Sequence, residues 1–195
     1  MAKIGLNNFR FGLLTEANDG TATYGAAHTP GKAVSCNVSI TNNSAMLYAD
    51  DGLAESDTSF QSGTITLGLD RDDLQTQAIL LGHTYSSLSG ITRNATDTAP
   101  YVGVGRVVTR MINGEYSYKV EFLHKVKFAE PSQENATKGE STEFGTTEIE
   151  GTVAALASGD WSTAQVFDDK TEAITYLESL FGTTPTTTQS GTGTP

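Results

Sequence analysis

The stretch that decides the fold is residues 101–128, YVGVGRVVTRMINGEYSYKVEFLHKVKF. Asn113 and Gly114 stand between two runs in which apolar and polar residues alternate, and both turn residues can adopt positive φ. This is the strongest short-range signal for a β hairpin. A two-residue loop also fixes the cross-strand pairs. The pairs it predicts are Ile112–Glu115, Met111–Tyr116, Thr109–Tyr118, Val107–Val120, Arg106–Glu121 and Gly105–Phe122.

Two glycines in the first strand of this hairpin have a steric explanation. Gly103 and Gly105 would lie opposite His124 and Phe122 and leave room for those rings. They do not form a nucleotide-binding loop, because the pattern Gly-x-Gly-x-x-Gly needs a third glycine where Val108 stands, and a helix must follow.

One face of the hairpin is part apolar and part charged, which leaves its surroundings open. Either the hairpin is a central strand pair that its own domain covers on both sides, or another subunit covers this face. The residues on this face are Val102, Val104, Arg106, Val108 and Arg110, with Lys119, Glu121, Leu123 and Lys125 on the second strand.

Two more strands are predicted from period-2 alternation, over residues 33–40 and 64–70. The residues predicted to face the core are Val34, Cys36, Val38 and Ile40 in the first strand and Ile65, Leu67 and Leu69 in the second.

The connection between these strands, residues 41–62, is too long and too polar for a tight turn. It could be a surface excursion, a pair of edge strands, or an arm that packs on a neighbouring subunit. Its apolar and aromatic residues favour the arm, because a disordered linker would be poorer in them. The residues assigned to the arm are Met46, Leu47, Tyr48, Asp50, Asp51, Leu53, Glu55 and Phe60.

Two short helices are predicted, each after an acidic start that can cap free N–H groups. The first follows Asp70-Arg71-Asp72-Asp73 and ends at Gly82, and the second follows Asp169 and ends at Gly182. The acidic cluster lacks the spacing of a calcium loop and a partner base, so capping is its expected role. The predicted apolar faces are Leu74, Ala78 and Leu81 in the first helix, and Ala173, Ile174, Leu177 and Phe181 in the second.

Residues 143–157 are predicted to add a strand, with Phe144, Ile149, Val153 and Leu156 as its apolar positions. Residues 1–182 are then predicted to form one domain. The remaining residues 183–195, TTPTTTQSGTGTP, offer almost nothing to bury and are predicted to be a disordered tail.

Composition argues against several classes of function. The formal charge is 12 − 23 = −11, which opposes binding to nucleic-acid backbones and anionic lipid. No stretch is long and apolar enough to span a membrane, and the first ten residues lack the apolar run of a secretion signal. Cys36 alone cannot form an internal disulfide, and three scattered histidines do not make a cysteine-rich zinc site. We therefore predict no catalytic, cofactor-binding or metal-binding residue.

Several stretches resemble the major tail proteins of long-tailed bacteriophages, which form the tail tube. The resemblance lies in residues 118–151, above all the Glu-Pro-Ser and Thr-Lys-Gly-Glu region at 130–140, and in LGLDRDDLQTQAILLG at 67–82. The opening AKIGLNNFRFGLL and the stretch AMLYADDGLAE at 45–55 are similar in style, so the resemblance covers most of the chain up to residue 182.

The resemblance implies a mainly β fold, a β-sandwich or barrel-like tail-tube domain with one short helix and one amphipathic helix near the end. It implies hexameric rings that stack into a hollow tube, the conduit for DNA ejection in the virion tail. Residues 41–62 would reach the next ring. The implied partners are other copies of the chain, a tape-measure protein, a tail terminator and tail-tip or baseplate proteins, with DNA passing through unbound and no membrane involved.

An acidic lumen wall would repel phosphate and let DNA slide. On that hypothesis, some acidic residues of this chain face the lumen. The candidates are Asp70, Asp72, Asp73, Glu115 and Glu121.

Three other interpretations stay open. A carbohydrate-binding or capsid-decorating β-sandwich would need exposed aromatics, whereas core or interface anchoring is the more frequent use of a lone tryptophan such as Trp161. The inner tube of a contractile injection system would share the architecture but contact a sheath. An enzyme is the third, assembled from residues distant in sequence.

Overall fold

The computed structural model describes residues 2–49, 52–71, 73–131 and 147–182. Within these residues the chain is mainly β, as predicted, and two short helices accompany the strands. In chain order the elements are β1 (Ala2–Glu16), β2 (Ala22–Tyr24), β3 (Ala33–Ala49), β4 (Gly52–Leu69), α1 (Leu74–Leu81), β5 (Thr84–Ser86), β6 (Gly90–Thr92), β7 (Val102–Ile112), β8 (Glu115–Phe128), β9 (Thr147–Ala154), β10 (Ser162–Phe167) and α2 (Lys170–Ser179).

The main sheet is antiparallel and has the order β2-β1-β7-β8-β9-β4-β3, with β10 also paired to β8. Strand β7 occupies one edge of β8, so β9 and β10 share the other edge. β9 pairs with residues 125–128 of β8, and β10 pairs with residues 118–123. Strands β5 and β6 form a separate hairpin after α1.

The central hairpin β7–β8 has the predicted register, and all six predicted pairs are confirmed. Asn113 and Gly114 both have positive φ, at 52° and 88°, as the turn requires. The register shifts between Val102 and Val104, where Val102 lies opposite Val126. Val126 thereby takes a core position, and the prediction that Lys125 continues the face of Leu123 was wrong.

The space beside the two hairpin glycines is filled differently from the prediction. A Cβ atom on Gly103 would lie 2.5 Å from the ring of Tyr24 and 2.9 Å from that of Phe122. A Cβ atom on Gly105 would lie 2.3 Å from Leu177 of α2 and 3.1 Å from Phe122. The prediction that Gly103 makes room for His124 was therefore wrong, because the register shift displaces that ring.

The larger core lies inside a curl of the sheet. Its buried side chains come from β1, β4, β7, β8, β9 and from α1. Arg106 of β7 reaches the backbone oxygen of Cys36 in β3, at 2.7 Å. Three strands separate β7 from β3 in the sheet order, so this contact requires that the sheet curve back on itself.

The opposite face of β7 and β8 is covered by α2. Leu177 and Ala173 of this helix are fully buried against Val107, Val120 and Phe122. The hairpin is thus covered on both sides within the chain, which favours the first of the two interpretations above. Its tip is the exception, and the exposed apolar side chains there are Met111, Ile112 and Tyr116.

Three of the four predicted helix ends are confirmed. Asp73 caps α1 and Gly82 ends it with a φ of 75°, and Asp169 caps the start of α2. The prediction that the second helix ends at Gly182 was wrong, because α2 ends at Ser179 with Leu180 as its C-cap. Leu74 is 41% exposed, so its assignment to the buried face of α1 was wrong. The buried face instead includes Leu80, which sits one residue before the predicted Leu81.

The predicted strand positions hold with one exception. Ile65, Leu67 and Leu69 are buried as predicted, and β9 confirms a strand within residues 143–157. Val34 is 59% exposed, because an irregularity between Ala33 and Ser35 shifts the register of β3 and turns Val34 outward. Phe144 and the predicted tail 183–195 lie outside the described residues.

Candidate assembly interface

Residues 41–49 and 52–62 pair as an extended β hairpin, which agrees with the pair of edge strands among the alternatives that the sequence left open. Pairing between β3 and β4 continues from Thr41 opposite Ser62 to Ala49 opposite Gly52, over nine pairs with two register shifts. At about 3.4 Å per residue this ribbon is roughly 30 Å long. We call residues 41–49 and 52–62 the arm.

The arm is paired only with itself in the part of the chain that the structure describes. Strand β9 pairs with β4 only over residues 63–69, and β3 is the last strand of the sheet. The side chains of Thr41–Ser44 and of Thr58 and Ser59 are exposed. Both long edges of the arm therefore present main-chain groups that no other described strand uses.

The base of the arm is fixed by an aromatic stack. The rings of Phe60 and Trp161 are parallel to within 3°, with 4.9 Å between their centroids. Both residues also pack against the larger core. Phe60 thus anchors the arm to its own subunit, and its assignment to an intersubunit contact stays a prediction. Trp161 has the core role that the sequence favoured over a sugar-binding one.

The other predicted arm residues lie farther along the same ribbon. The backbone register places Met46 opposite Ser56, Leu47 opposite Glu55 and Tyr48 opposite Leu53. Asp50 and Asp51 lie outside the described residues, between the ends of the two strands. The assignment of these residues to an intersubunit contact stays a prediction.

The acidic residues proposed for a lumen have different local roles. The Asp70 carboxylate accepts a hydrogen bond from the backbone N–H of Lys32 at 2.8 Å, and Asp73 accepts one from the N–H of Thr76 at 3.3 Å. Glu115 is exposed beside the β7–β8 turn. Asp72 lies outside the described residues. The structure thus does not gather these carboxylates into one cluster.

Glu121 belongs to an ion-pair network inside the curl of the sheet. Its Oε2 accepts hydrogen bonds from Arg106, at 2.8 Å from Nε and 2.6 Å from Nη2, and its Oε1 accepts one from Lys119 at 2.6 Å. Burial alone would raise the pKa of Glu121, but the hydrogen bonds and charges of Lys119 and Arg106 outweigh burial and lower it. Glu121 is therefore an ionised partner of two cations.

A cleft of about 260 Å³ opens beside this network, between β3 and the start of β10. Its walls combine Ile40 and Leu123 with the Arg106–Glu121 pair and with Trp161. Burial raises the pKa of the nearby Cys36 thiol despite the charge of Arg106, so this cysteine is not an activated nucleophile.

The three histidines have structural partners or packing roles. His83 Nδ1 lies 2.7 Å from a carboxylate oxygen of Asp97, and its Nε2 contacts Glu130. His124 lies between the Tyr24 hydroxyl, 2.9 Å from Nδ1, and the Thr163 hydroxyl, 2.8 Å from Nε2. His28 packs its ring near Phe11.

The two engaged histidines are perturbed in opposite directions. The hydrogen bond to Asp97, which outweighs burial, and the contact with Glu130 raise the pKa of His83. Burial lowers the pKa of His124 and raises that of Tyr24 to about 12. Among the described residues, no three histidine, cysteine or acidic side chains are placed to hold a metal ion.

Strand β10 is an element that the sequence did not reveal. Its residues STAQVF lie between the predicted strand and the last helix, and the sequence pattern predicts no element there. The signal that could have found it is the β-branched and aromatic content of Thr163, Val166 and Phe167 after the turn residues Gly159 and Asp160.

Comparisons with known proteins do not place the chain in a family. No protein-family model matches it, and no curated protein matches its sequence. Within the described residues, neither helix has the length and apolar character needed to cross a membrane.

Proposed function

We propose that this protein is a structural subunit that assembles with copies of itself into hexameric rings, which stack into the hollow tail tube of a bacteriophage. In this role the chain has no catalytic residue. The tube is the conduit for DNA in the virion tail, and its further partners are a tape-measure protein, a terminator and tail-tip or baseplate proteins.

The observation that supports this proposal most is the arm. A two-stranded ribbon about 30 Å long is marginally stable by itself in water, and among the described side chains it is Phe60 and Trp161 that anchor this one, at its base. Such a ribbon gains stability when a neighbour contacts it. An assembly in which subunits pair through their open edges also removes those edges, and closed rotational symmetry then gives a ring.

The net charge of −11 is consistent with a wall that does not retain DNA. Glu115 is the described acidic candidate with an exposed side chain on a hairpin tip, whereas Glu121 is neutralised by Arg106 and Lys119. We therefore propose that Glu115 contributes more than Glu121 to a negative electrostatic potential in the lumen.

The test is negative-stain electron microscopy with light scattering on the purified full chain at high concentration. Rings or hollow tubes are expected, with a particle mass that is a multiple of six subunits. A chain that stays monomeric at every concentration, even after tail-tip components are added, would refute the proposal.

The arm itself is tested by shortening it without disturbing the body. Ser44 lies opposite Thr58, so Asn-Gly in place of residues 45–57 closes the hairpin with a two-residue turn. This variant should fold but not stack. The matched control puts Asn-Gly in place of residues 50 and 51, which lie between the paired Ala49 and Gly52. It keeps the full arm and should assemble.

A further inference from the structure

Strand β10 has an outer edge that the chain leaves open. Within the described residues β10 pairs with β8 alone, over six consecutive pairs from Ser162 to Phe167 with no register shift. Ser162, Ala164, Gln165 and Val166 are exposed, and Val166 keeps 49% of its surface in contact with solvent.

This edge lacks the usual protection against pairing with another chain. Proteins blunt exposed edges with charged side chains, prolines, bulges or a covering element. The sequence STAQVF contains no charge and no proline, and the regular register excludes a bulge. The edge is thus a template for one more strand.

The outward main-chain groups of β10 can be assigned. The Trp161 oxygen accepts a hydrogen bond from the N–H of His124 in β8, at 3.0 Å. Inward and outward residues alternate in an antiparallel ladder, so Thr163 and Gln165 face β8. The N–H and C=O groups of Ala164 and Val166 therefore face outward.

Beside this edge lies a cleft, and no other described strand pairs with the edge. Strand β4 is the neighbour of β9 in the sheet, and it continues past the end of β9 as part of the arm. There it does not pair with β10. Phe60 of β4 stacks on Trp161, the residue before β10, and the cleft of about 260 Å³ is lined by Trp161 and residues 162–164.

We propose that the outer edge of β10 accepts the β3 strand of the arm from a second copy of this chain. This inference rests on the proposed function, since it names the surface that receives the arm. It is β-strand addition, in which main-chain hydrogen bonds supply the affinity.

Two observations favour a second copy as the occupant. Residues 41–49, TNNSAMLYA, are a matching edge, since they also lack charge and proline and no other described strand pairs with their outer side. The charges are also complementary. Residues 33–69 contain four acidic side chains and no Lys or Arg, whereas the cleft beside β10 contains Arg106 and Lys119 against Glu121.

The edge of β3 in the arm and the outer edge of β10 are different surfaces. Each subunit can therefore place its own arm on one neighbour and bind the arm of another neighbour at β10. Such a contact is heterologous and repeats from subunit to subunit, so it forms a ring if the rotation closes and a filament if it does not. The same contact covers both unprotected edges at once.

The main test removes one outward donor from β10. Ala164→Pro deletes an N–H that faces away from β8, and proline is tolerated on such an edge, so the subunit should keep its circular dichroism spectrum and unfolding temperature. We expect the concentration for half-assembly to rise about tenfold or more, as one lost main-chain hydrogen bond requires. Ala164→Ser keeps the N–H and is the matched control.

A second test detects the contact itself and does not depend on the proline variant folding. Cys36 is the single cysteine of the chain, so Cys36→Ser gives a background without thiols. In that background, Val166→Cys chains are mixed with chains that carry Asn42→Cys, Asn43→Cys or Ser44→Cys, and are oxidised. We expect a disulfide-linked heterodimer for at least one arm position. Ser158→Cys, on a turn before β10, replaces Val166→Cys as the control and should give none.

The outcomes separate this inference from the proposed function. A wild-type chain that does not assemble overturns both. A wild-type chain that assembles, with an Ala164→Pro variant that assembles equally well and no cross-link from Val166→Cys, overturns the assignment of β10 and leaves the structural function standing.

Discussion

Arg106 joins three strands across the curl of the sheet, and Arg106→Met tests how much that junction contributes to stability. The guanidinium bonds Glu121 through Nε and Nη2, and its Nη1 donates to the Cys36 oxygen of β3 at 2.7 Å. Only 15% of the Arg106 side chain and 22% of the Glu121 side chain are exposed. The pair is therefore largely shielded from water, so water cannot replace the hydrogen bonds of Glu121 when Arg106 is removed.

Arg106→Met leaves the buried Glu121 carboxylate without its main partner, and this determines the expected loss in the free energy of unfolding. Breaking a buried ion pair by removing one partner costs about 3–5 kcal/mol, and Lys119 still compensates part of the Glu121 charge at 2.6 Å. We expect Arg106→Met to lower the free energy of unfolding by about 3 kcal/mol. For a domain of this size that corresponds to a loss of roughly 6–12 °C in unfolding temperature.

Urea unfolding followed by circular dichroism measures this effect, with two comparison variants. Lys119→Met removes a more exposed partner of the same carboxylate, 31% exposed, and should cost about 1 kcal/mol or less. Arg106→Met combined with Glu121→Met should recover part of the loss, because the buried carboxylate is then gone and only the more exposed Lys119 loses its partner. If Arg106→Met costs no more than Lys119→Met, the junction does not hold the curl together and the reasoning is wrong.

Three further predictions concern histidine titration and glycine packing. His83 has a raised pKa in the folded protein. The stability that protonated His83 contributes is therefore complete below the unfolded pKa of about 6.5 and is lost as pH rises through the folded pKa. The difference in unfolding temperature between wild type and His83→Gln should shrink from pH 6 to pH 9. His124 has a lowered pKa, so wild type should lose stability relative to His124→Gln as pH falls through about 6.5, and an unchanged gap would contradict the buried neutral ring. Gly105→Ala places a Cβ 2.3 Å from Leu177 and should cost about 1–3 kcal/mol, whereas Gly5→Ala, with its nearest atom at 3.9 Å, is the control and should cost much less.

The central hairpin could be predicted in detail because its information is local. Asn113-Gly114 fixes the turn, the turn fixes the register, and the register brings Arg106 opposite Glu121. The helix caps Asp73 and Asp169 were also visible, because a cap depends on residues within one turn. The third contact of Arg106, to Cys36, could not be predicted, since it depends on the curvature of the whole sheet.

The arm shows the opposite case. Its strands are polar, and no local pattern distinguishes them from a loop. They are strands because the buried residues Ile65 and Leu67 set the register of β3 and β4 inside the sheet, and the pairing then continues outward. Val34 was misplaced because an irregularity at the start of β3 changes the side-chain alternation, which composition does not reveal.

The aromatic stack at the base of the arm has a mechanical consequence. A ribbon held at one end bends and twists along its free length, and two-stranded ribbons twist more readily than wide sheets. The stack of Phe60 on Trp161 sets the point where this bending begins. In the proposed assembly, a partner bound at the far end of the arm could therefore shift while the curled body keeps its shape, and a string of such subunits could follow a curve without straining the core of any one of them.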